Sequence, residues 1–108
     1  MPKPSIFHGV PSAHLITTVP PEYRARVQGV VAPDRVYTVL LFQHERRSVV
    51  MSPVVRKALD RVPTGEALVA IGANFTAEAI ELLDERGALV IRLGDFYWTD
   101  ESYNSVRS

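Results

Sequence analysis

The chain has 108 residues, 46% of them hydrophobic and 22% charged, which is the size and composition of one folded domain. Twelve basic residues balance twelve acidic ones, so the chain lacks the basic excess of most nucleic-acid-binding proteins, and the absence of cysteine excludes disulfides and thiolate chemistry. No apolar run reaches the length of about 18 residues that a membrane helix needs. Prolines interrupt the beginning, where a signal peptide is apolar, so we expect a cytoplasmic protein without a membrane partner.

The sequence predicts one α/β domain between two flanking segments. Four prolines within residues 1–20 predict an irregular N-terminal arm. The domain itself is predicted over residues 21–99, and residues 100–108 are predicted to be a frayed tail. Residues 21–32 are ambiguous, because a helical stripe that starts at Tyr23 competes with a glycine and three valines; we favour a helix over a strand.

Two strands are predicted next, joined by a polar turn. Residues 36–42 form a continuous apolar run, which is typical of a strand buried on both faces. Residues 48–51 are predicted to be a second short strand. The polar stretch Gln43–Arg47 would then lie at or near the turn of a hairpin.

The second half of the chain alternates helices and strands. Ser52, followed by a proline, is typical of the start of a helix. Thr76 is predicted to cap the next helix and Gly87 to end it, with strands over residues 67–71 and 88–93. This alternation implies parallel strands joined by right-handed crossovers. With the hairpin, the predicted fold class is α/β, a small mixed β-sheet with flanking helices.

Two stretches carry a resemblance to a known family that extends over Val36–Leu93. In GANFTAEAIELLDERGALVI, a loop ending in Phe-Thr precedes a helix, and a glycine precedes the last strand. In VLLFQHERRSVVMSPVVRKAL, an apolar strand ends in a glutamine, basic residues follow, and a helix comes next. Both resemble the core of the Mrr-type restriction endonucleases of the PD-(D/E)xK superfamily, in which such a strand ends in a Gln-x-Lys motif. The resemblance implies a restriction endonuclease-like core.

The resemblance also implies a metal-dependent cutting site, from which this sequence departs. Gln43 matches the family's glutamine, but Glu45 occupies the lysine position and reverses its charge. Arg46 and Arg47 remain protonated and are poor proton acceptors. Asp34, the candidate acidic ligand, opens the strand that Gln43 ends, so the two are roughly 30 Å apart at about 3.3 Å per residue. We therefore expect a site that has been lost or rebuilt.

Three functions follow from these observations. The first is a non-catalytic domain that binds nucleic acid or a protein partner, assembles as a homodimer and needs no cofactor or metal. The second is an active nuclease in which Glu45 binds magnesium and Arg46 or Arg47 supplies the cation. The third is an unrelated structural or interaction module. The neutral net charge does not support DNA as a partner, although a local basic patch would still allow it.

The candidate residues also have structural interpretations. For Gln43–Arg47 we favour a solvated hairpin turn with internal salt bridges over the edge of an altered active site. Asn74 precedes a helix start where backbone N–H groups can hold an anion, but a purely structural loop is favoured. Phe96, Tyr97 and Trp98 have the chemistry to stack on bases, and packing in the core or at an interface is favoured for them.

Overall fold

The sheet is built around the apolar run that begins at Val36. The computed structural model describes residues 3–94 and 97–107, and this run forms strand β2 at the interior of a four-stranded sheet. Strand β1 pairs with it antiparallel, whereas β3 and then β4 follow in parallel, in the order β1-β2-β3-β4. The strands are β1 (Ser5–Pro11), β2 (Val36–Leu41), β3 (Leu68–Gly72) and β4 (Leu89–Arg92). The predicted α/β class, the mixed sheet and the parallel second half are confirmed.

Helices cover both faces of this sheet. Alternate residues of a strand point to opposite faces, so Leu68 and Ala70 of β3 pack with α3 and α4, whereas Val69 and Ile71 pack with α1 and α2. No helix within the described residues has the length and apolar character needed to cross a bilayer. The helices are α1 (Ser12–Thr18), α2 (Arg24–Val30), α3 (Ser52–Leu59), α4 (Ala77–Glu85) and α5 (Asp100–Arg107), with a 3-10 turn (Pro21–Tyr23) before α2.

The predicted hairpin after β2 is not formed. Residues 48–51 are not a strand, and Val50 instead makes an isolated parallel bridge to Phe75, just beyond β3. Both edges of β2 are already occupied, by β1 and by β3, so no edge is free for a hairpin partner. Val49 and Val50 are both buried, and Val50 belongs to the core cluster beneath α3 and α4.

The segment expected to be an irregular arm forms β1 and α1. Its apolar residues explain this, because Ile6 packs on one face of the sheet and Val10 on the other. The prolines are compatible with the strand, because β1 is an edge strand and Pro11 is its last residue. The strand contains a bulge between Phe7 and Val10, where Gly9 adopts a φ of 63°.

The ambiguous segment 21–32 is helical, as favoured. Tyr23 and Val27, which lie on the predicted stripe, are both fully buried. On the exposed side of α2, the guanidinium of Arg26 donates a hydrogen bond to the backbone carbonyl of Arg92 in the edge strand β4. This contact occupies one of the acceptors that an unpaired edge would otherwise present.

The predicted signals at both ends of α4 are confirmed. The hydroxyl of Thr76 accepts a hydrogen bond from the backbone N–H of Ala79 at 3.2 Å, which is the geometry of an N-cap. Gly87 has a φ of 71°, the left-handed conformation expected where a helix ends. The predicted strands 67–71 and 88–93 agree with β3 and β4 to within a residue or two at each end.

The C-terminal residues form helix α5 rather than a frayed tail, and Asp100 anchors it. The Asp100 carboxylate accepts hydrogen bonds from the backbone N–H of Ser52 at 3.2 Å and from its hydroxyl, and from the Thr76 hydroxyl at 2.6 Å. Ser52 is thus the first residue of α3, and the N-cap position is held by Met51, which makes no capping hydrogen bond through its side chain. Burial raises the pKa of Asp100, but these hydrogen bonds and the charge of Arg56 outweigh it and hold the pKa below its ordinary value.

We expect Asp100→Ala to lower the free energy of unfolding by about 1–2 kcal/mol at neutral pH, because the starts of α3 and α4 lose a shared acceptor. Because the pKa is lower in the folded state, this contribution is present above the unfolded-state pKa of about 3.9 and is lost as the pH falls through the folded-state value. Urea unfolding of both proteins should therefore show a difference that shrinks in acid. Glu101→Ala, which removes an exposed carboxylate from the same helical turn, is the control. Equal losses in the two variants would contradict the role of Asp100.

Candidate functional site

The loops that follow β2, β3 and β4 meet at one edge of the sheet. Parallel strands bring their carboxyl ends together, which is where α/β proteins commonly bind ligands. A cavity of about 420 Å³ opens at this edge. Its walls come from the 3-10 turn and from all three loops, and consist of Glu22, His44, Arg46, Ala73, Asn74, Leu93 and Gly94.

The predicted stretch Gln43–Arg47 forms one side of this edge. The backbone carbonyl of Gln43 accepts a hydrogen bond from Ala73 at 3.1 Å, which continues the pairing of β2 with β3 by one step. Beyond it the chain turns sharply, with the backbone N–H and hydroxyl of Ser48 both donating to the carbonyl of Glu45, at 2.9 and 2.7 Å. The four residues between Gln43 and Ser48 are exposed.

The two arginines of this turn carry unpaired charges. Within residues 3–94 and 97–107, neither Arg46 nor Arg47 makes an ion pair or a hydrogen bond through its guanidinium. The internal salt bridges expected from a structural turn are therefore not found in this part of the chain. Two free guanidinium groups next to a cavity can receive an anionic ligand, for which their planar donor geometry is well suited.

Asn74 is a buried residue whose hydrogen bonds connect two of the loops at this edge of the sheet. It is 6% exposed, its side-chain amide donates to the carbonyl of Ser48 at 3.1 Å, and its backbone carbonyl accepts from Val50 at 2.8 Å. It thereby ties the loop after β2 to the end of β3. Its side-chain oxygen is buried and has no hydrogen-bond partner among the described residues.

Three backbone N–H groups at the start of α4 already have partners within the protein. The backbone N–H of Thr76 donates to Val50 at 3.0 Å, that of Ala77 to Trp98 at 2.7 Å, and that of Ala79 to the Thr76 hydroxyl. The structural interpretation of Asn74 as a loop residue therefore agrees with its contacts.

The charges at this edge also act on Tyr23. Burial raises the pKa of Tyr23 to about 12, with further upward contributions from the carboxylates of Glu22 and Glu45 and an opposing one from Arg26. The phenol therefore stays protonated at neutral pH and cannot serve as a base. Its hydroxyl is buried and unpartnered within the described residues.

The other predicted residues lie elsewhere or form no metal site. Asp34 is at the opposite end of β2 from Gln43, beside a more open hollow of about 680 Å³. No three His, Asp or Glu side chains in the described part of the chain converge as metal ligands. Trp98 packs edge-to-face on Tyr103, with ring centroids 5.9 Å apart, as the packing interpretation expects. Phe96 lies outside the described residues.

Four residues of the cavity, Glu22, Ala73, Leu93 and Gly94, were not among the sequence candidates. Glu22 reaches it because the 3-10 turn crosses this edge of the sheet, and Leu93 and Gly94 follow β4. No local pattern distinguishes them in the sequence. A Cβ atom at Gly94 would lie 1.7 Å from the side-chain oxygen of Asn74, so only glycine fits here.

We expect Gly94→Ala to destabilise the fold by about 1–3 kcal/mol, because its methyl group must displace the Asn74 side chain that joins the two loops. Gly29→Ala is the matched control, since Gly29 lies in α2 with nothing within 4 Å of an added Cβ, and should stabilise by roughly 0.5–1 kcal/mol. Urea unfolding measures both changes. If Gly94→Ala were as stable as the original protein, the close packing of Asn74 on Gly94 would be wrong.

Comparison with known proteins identifies no relative of this chain. No family model matches it, and no match was found among the curated proteins or the solved structures.

Proposed function

We propose that this domain binds single-stranded nucleic acid without cutting it, at the edge where β2, β3 and β4 end. The observation that carries the proposal is the pair of exposed arginines, Arg46 and Arg47, whose charges are not neutralised by the described part of the chain. Phosphate is, together with carboxylate, a group that a free guanidinium binds through two parallel hydrogen bonds. A neutral net charge is compatible with this, because the proposal needs only a local pair of cations.

An exposed aromatic ring at the same edge supports a nucleic acid over other anions. Tyr97 is 79% exposed, and it precedes Trp98, which forms a bridge to Thr76 at the start of α4. An aromatic side chain exposed to solvent offers a stacking surface, worth about 1–3 kcal/mol for each base. Single strands present their bases for such contacts, whereas a duplex keeps them stacked inside.

Binding without cleavage is proposed because the groups for metal-dependent hydrolysis are not brought together. Glu45 stands where the resemblance to Mrr-type endonucleases expects a lysine, and Asp34 lies at the far end of β2. The parallel order of β2, β3 and β4 fits a restriction endonuclease-like core, but the antiparallel neighbour of β2 is β1 instead of a hairpin strand. Because the parallel strand order fits, we include a relationship to the Mrr-type endonucleases in the proposal.

We expect Arg46→Ala and Arg47→Ala each to weaken binding of a fluorescent single-stranded oligonucleotide by about three- to tenfold at low salt. Each should also reduce the slope of log affinity against log salt by about 0.7, because one phosphate contact is lost. Fluorescence anisotropy over a series of salt concentrations measures both quantities. Arg61→Ala is the control, since Arg61 is exposed at the opposite end of α3.

Several outcomes would contradict this function. Absence of binding at low salt would contradict the proposed binding of nucleic acid. Equal losses of affinity in Arg46→Ala and Arg61→Ala would contradict binding at this edge of the sheet. Magnesium-dependent cleavage that Gln43→Ala abolishes would instead favour the active-nuclease alternative.

The proposed function includes assembly of two copies. The exposed large apolar side chains include Phe7 on β1, 38% exposed, and Val36 on β2, 58% exposed. The two side chains project from opposite faces of the sheet and form no single patch, so the contact is proposed at Val36, the more exposed of the two. We expect sedimentation equilibrium to give twice the chain mass of 12.0 kDa, and Val36→Ser to shift the equilibrium toward one copy. A single-copy mass at all concentrations would contradict the homodimer.

A further inference from the structure

We infer that the outer surfaces of α3 and α4 join two copies of the chain, with the basic α3 of each copy against the acidic α4 of its partner. This inference rests on the assembly of two copies proposed above and specifies the surface that joins them. Its basis is the separation of charge between the two helices. The exposed basic row consists of Arg56, Lys57 and Arg61, on and just after α3, and the exposed acidic row consists of Glu81, Asp84 and Glu85 on α4.

The two helices lie side by side along one face of the sheet. At their starts, the carboxylate of Asp100 accepts hydrogen bonds from Ser52 and from Thr76. At their ends, the guanidinium of Arg86, which follows α4, donates to the backbone carbonyl of Leu59 in α3 at 3.3 Å. The helices are therefore parallel and adjacent, and the basic row lies next to the acidic one.

The opposite charges of these two rows do not neutralise each other within the chain. In residues 3–94 and 97–107, no ion pair joins α3 to α4. Spacings of three and four residues put the members of each row on one side of its helix. Asp60 lies among the cations of α3 but leaves that row basic. The cation after α4, Arg86, is directed to backbone carbonyls, so the outer side of α4 stays acidic.

A surface that carries both signs of charge side by side fits a second copy of itself. A two-fold axis that runs parallel to the helices, midway between them, places each α3 opposite the α4 of the partner. Every contact between the rows is then one of opposite charges. The acidic row would repel nucleic acid, and a protein partner with a single sign of charge would be repelled by one row or the other. The complementary rows therefore point to a second copy and fix the orientation in which it binds.

The apolar contact proposed at Val36 lies on the same side of the sheet. Alternate residues of β2 share a face, and Leu40 packs in the cluster beneath α3 and α4. Val36 alternates in step with Leu40, so its side chain, 58% exposed, projects toward that face. The exposed apolar residue and the charged rows thus belong to one side of the molecule.

Reversing the charges of one row at a time tests the inference. Lys57→Glu/Arg61→Glu makes both rows acidic, and Glu81→Lys/Glu85→Lys makes both basic; all four side chains are exposed, so the core is left intact. We expect each variant alone to self-associate at least about tenfold more weakly than the original protein, because like charges then face each other. An equimolar mixture of the two variants should associate again. Sedimentation equilibrium measures these changes, and association of the original protein should also weaken as the salt concentration rises.

Lys3→Glu/Arg24→Glu is the control for the change in net charge. Lys3 precedes β1, and Arg24 lies on α2, on the opposite face of the sheet, and both are exposed. This control should self-associate as the original protein does. An equal loss in the control would overturn the inference, and so would two weakened variants that fail to associate when they are mixed.

The outcomes separate this inference from the assembly on which it rests. Pairs of copies that salt and the row variants leave equally tight would overturn the surface at α3 and α4 and leave the assembly itself standing. A single-copy mass of the original protein at all concentrations would overturn both. Binding of oligonucleotides through Arg46 and Arg47 is measured apart from self-association, so none of these results changes its test.

Discussion

The structure depends on the occupation of both edges of β2. With β1 hydrogen-bonded on one side and β3 on the other, the chain that leaves β2 cannot fold back beside it. It turns at Glu45 and crosses to the end of β3, where Val50 exchanges backbone hydrogen bonds with Asn74 and Thr76. This crossing places Arg46 beside the cavity at the ends of the parallel strands. The cavity at that edge is therefore a consequence of how the N-terminal segment pairs.

The parts of the fold predicted from the sequence are those determined by nearby residues. Thr76 caps α4 because its own side chain reaches the N–H of Ala79, and Gly87 ends the helix because it tolerates the left-handed conformation. The helical stripe from Tyr23 to Val27 is likewise a local pattern. The pairing of β1 with β2 joins segments about thirty residues apart in the chain, and no pattern within either segment specifies it.

The same distinction applies to the candidate site. The polar turn after β2 was recognisable because apolar residues give way abruptly to charged ones, and Asn74 because it follows a buried strand. Their convergence with Glu22 and Gly94 was not recognisable from the sequence, because it requires the 3-10 turn and the loop after β4 to reach the same edge. In the sequence, Glu45 lies directly beside Arg46, which would suggest an ion pair between them. Arg46 makes no ion pair within the described residues, and this is equally a property of the fold.

The two edge strands of the sheet, β1 and β4, are each hindered from pairing with a further strand, and in different ways. In β1, the bulge around Gly9 breaks the regular spacing of its hydrogen-bonding groups, and in β4 the guanidinium of Arg26 occupies a backbone carbonyl. A regular ladder can extend from neither strand, which protects the protein from growing into a continuous sheet at high concentration. Two copies of the chain are therefore not expected to pair strand to strand through either edge.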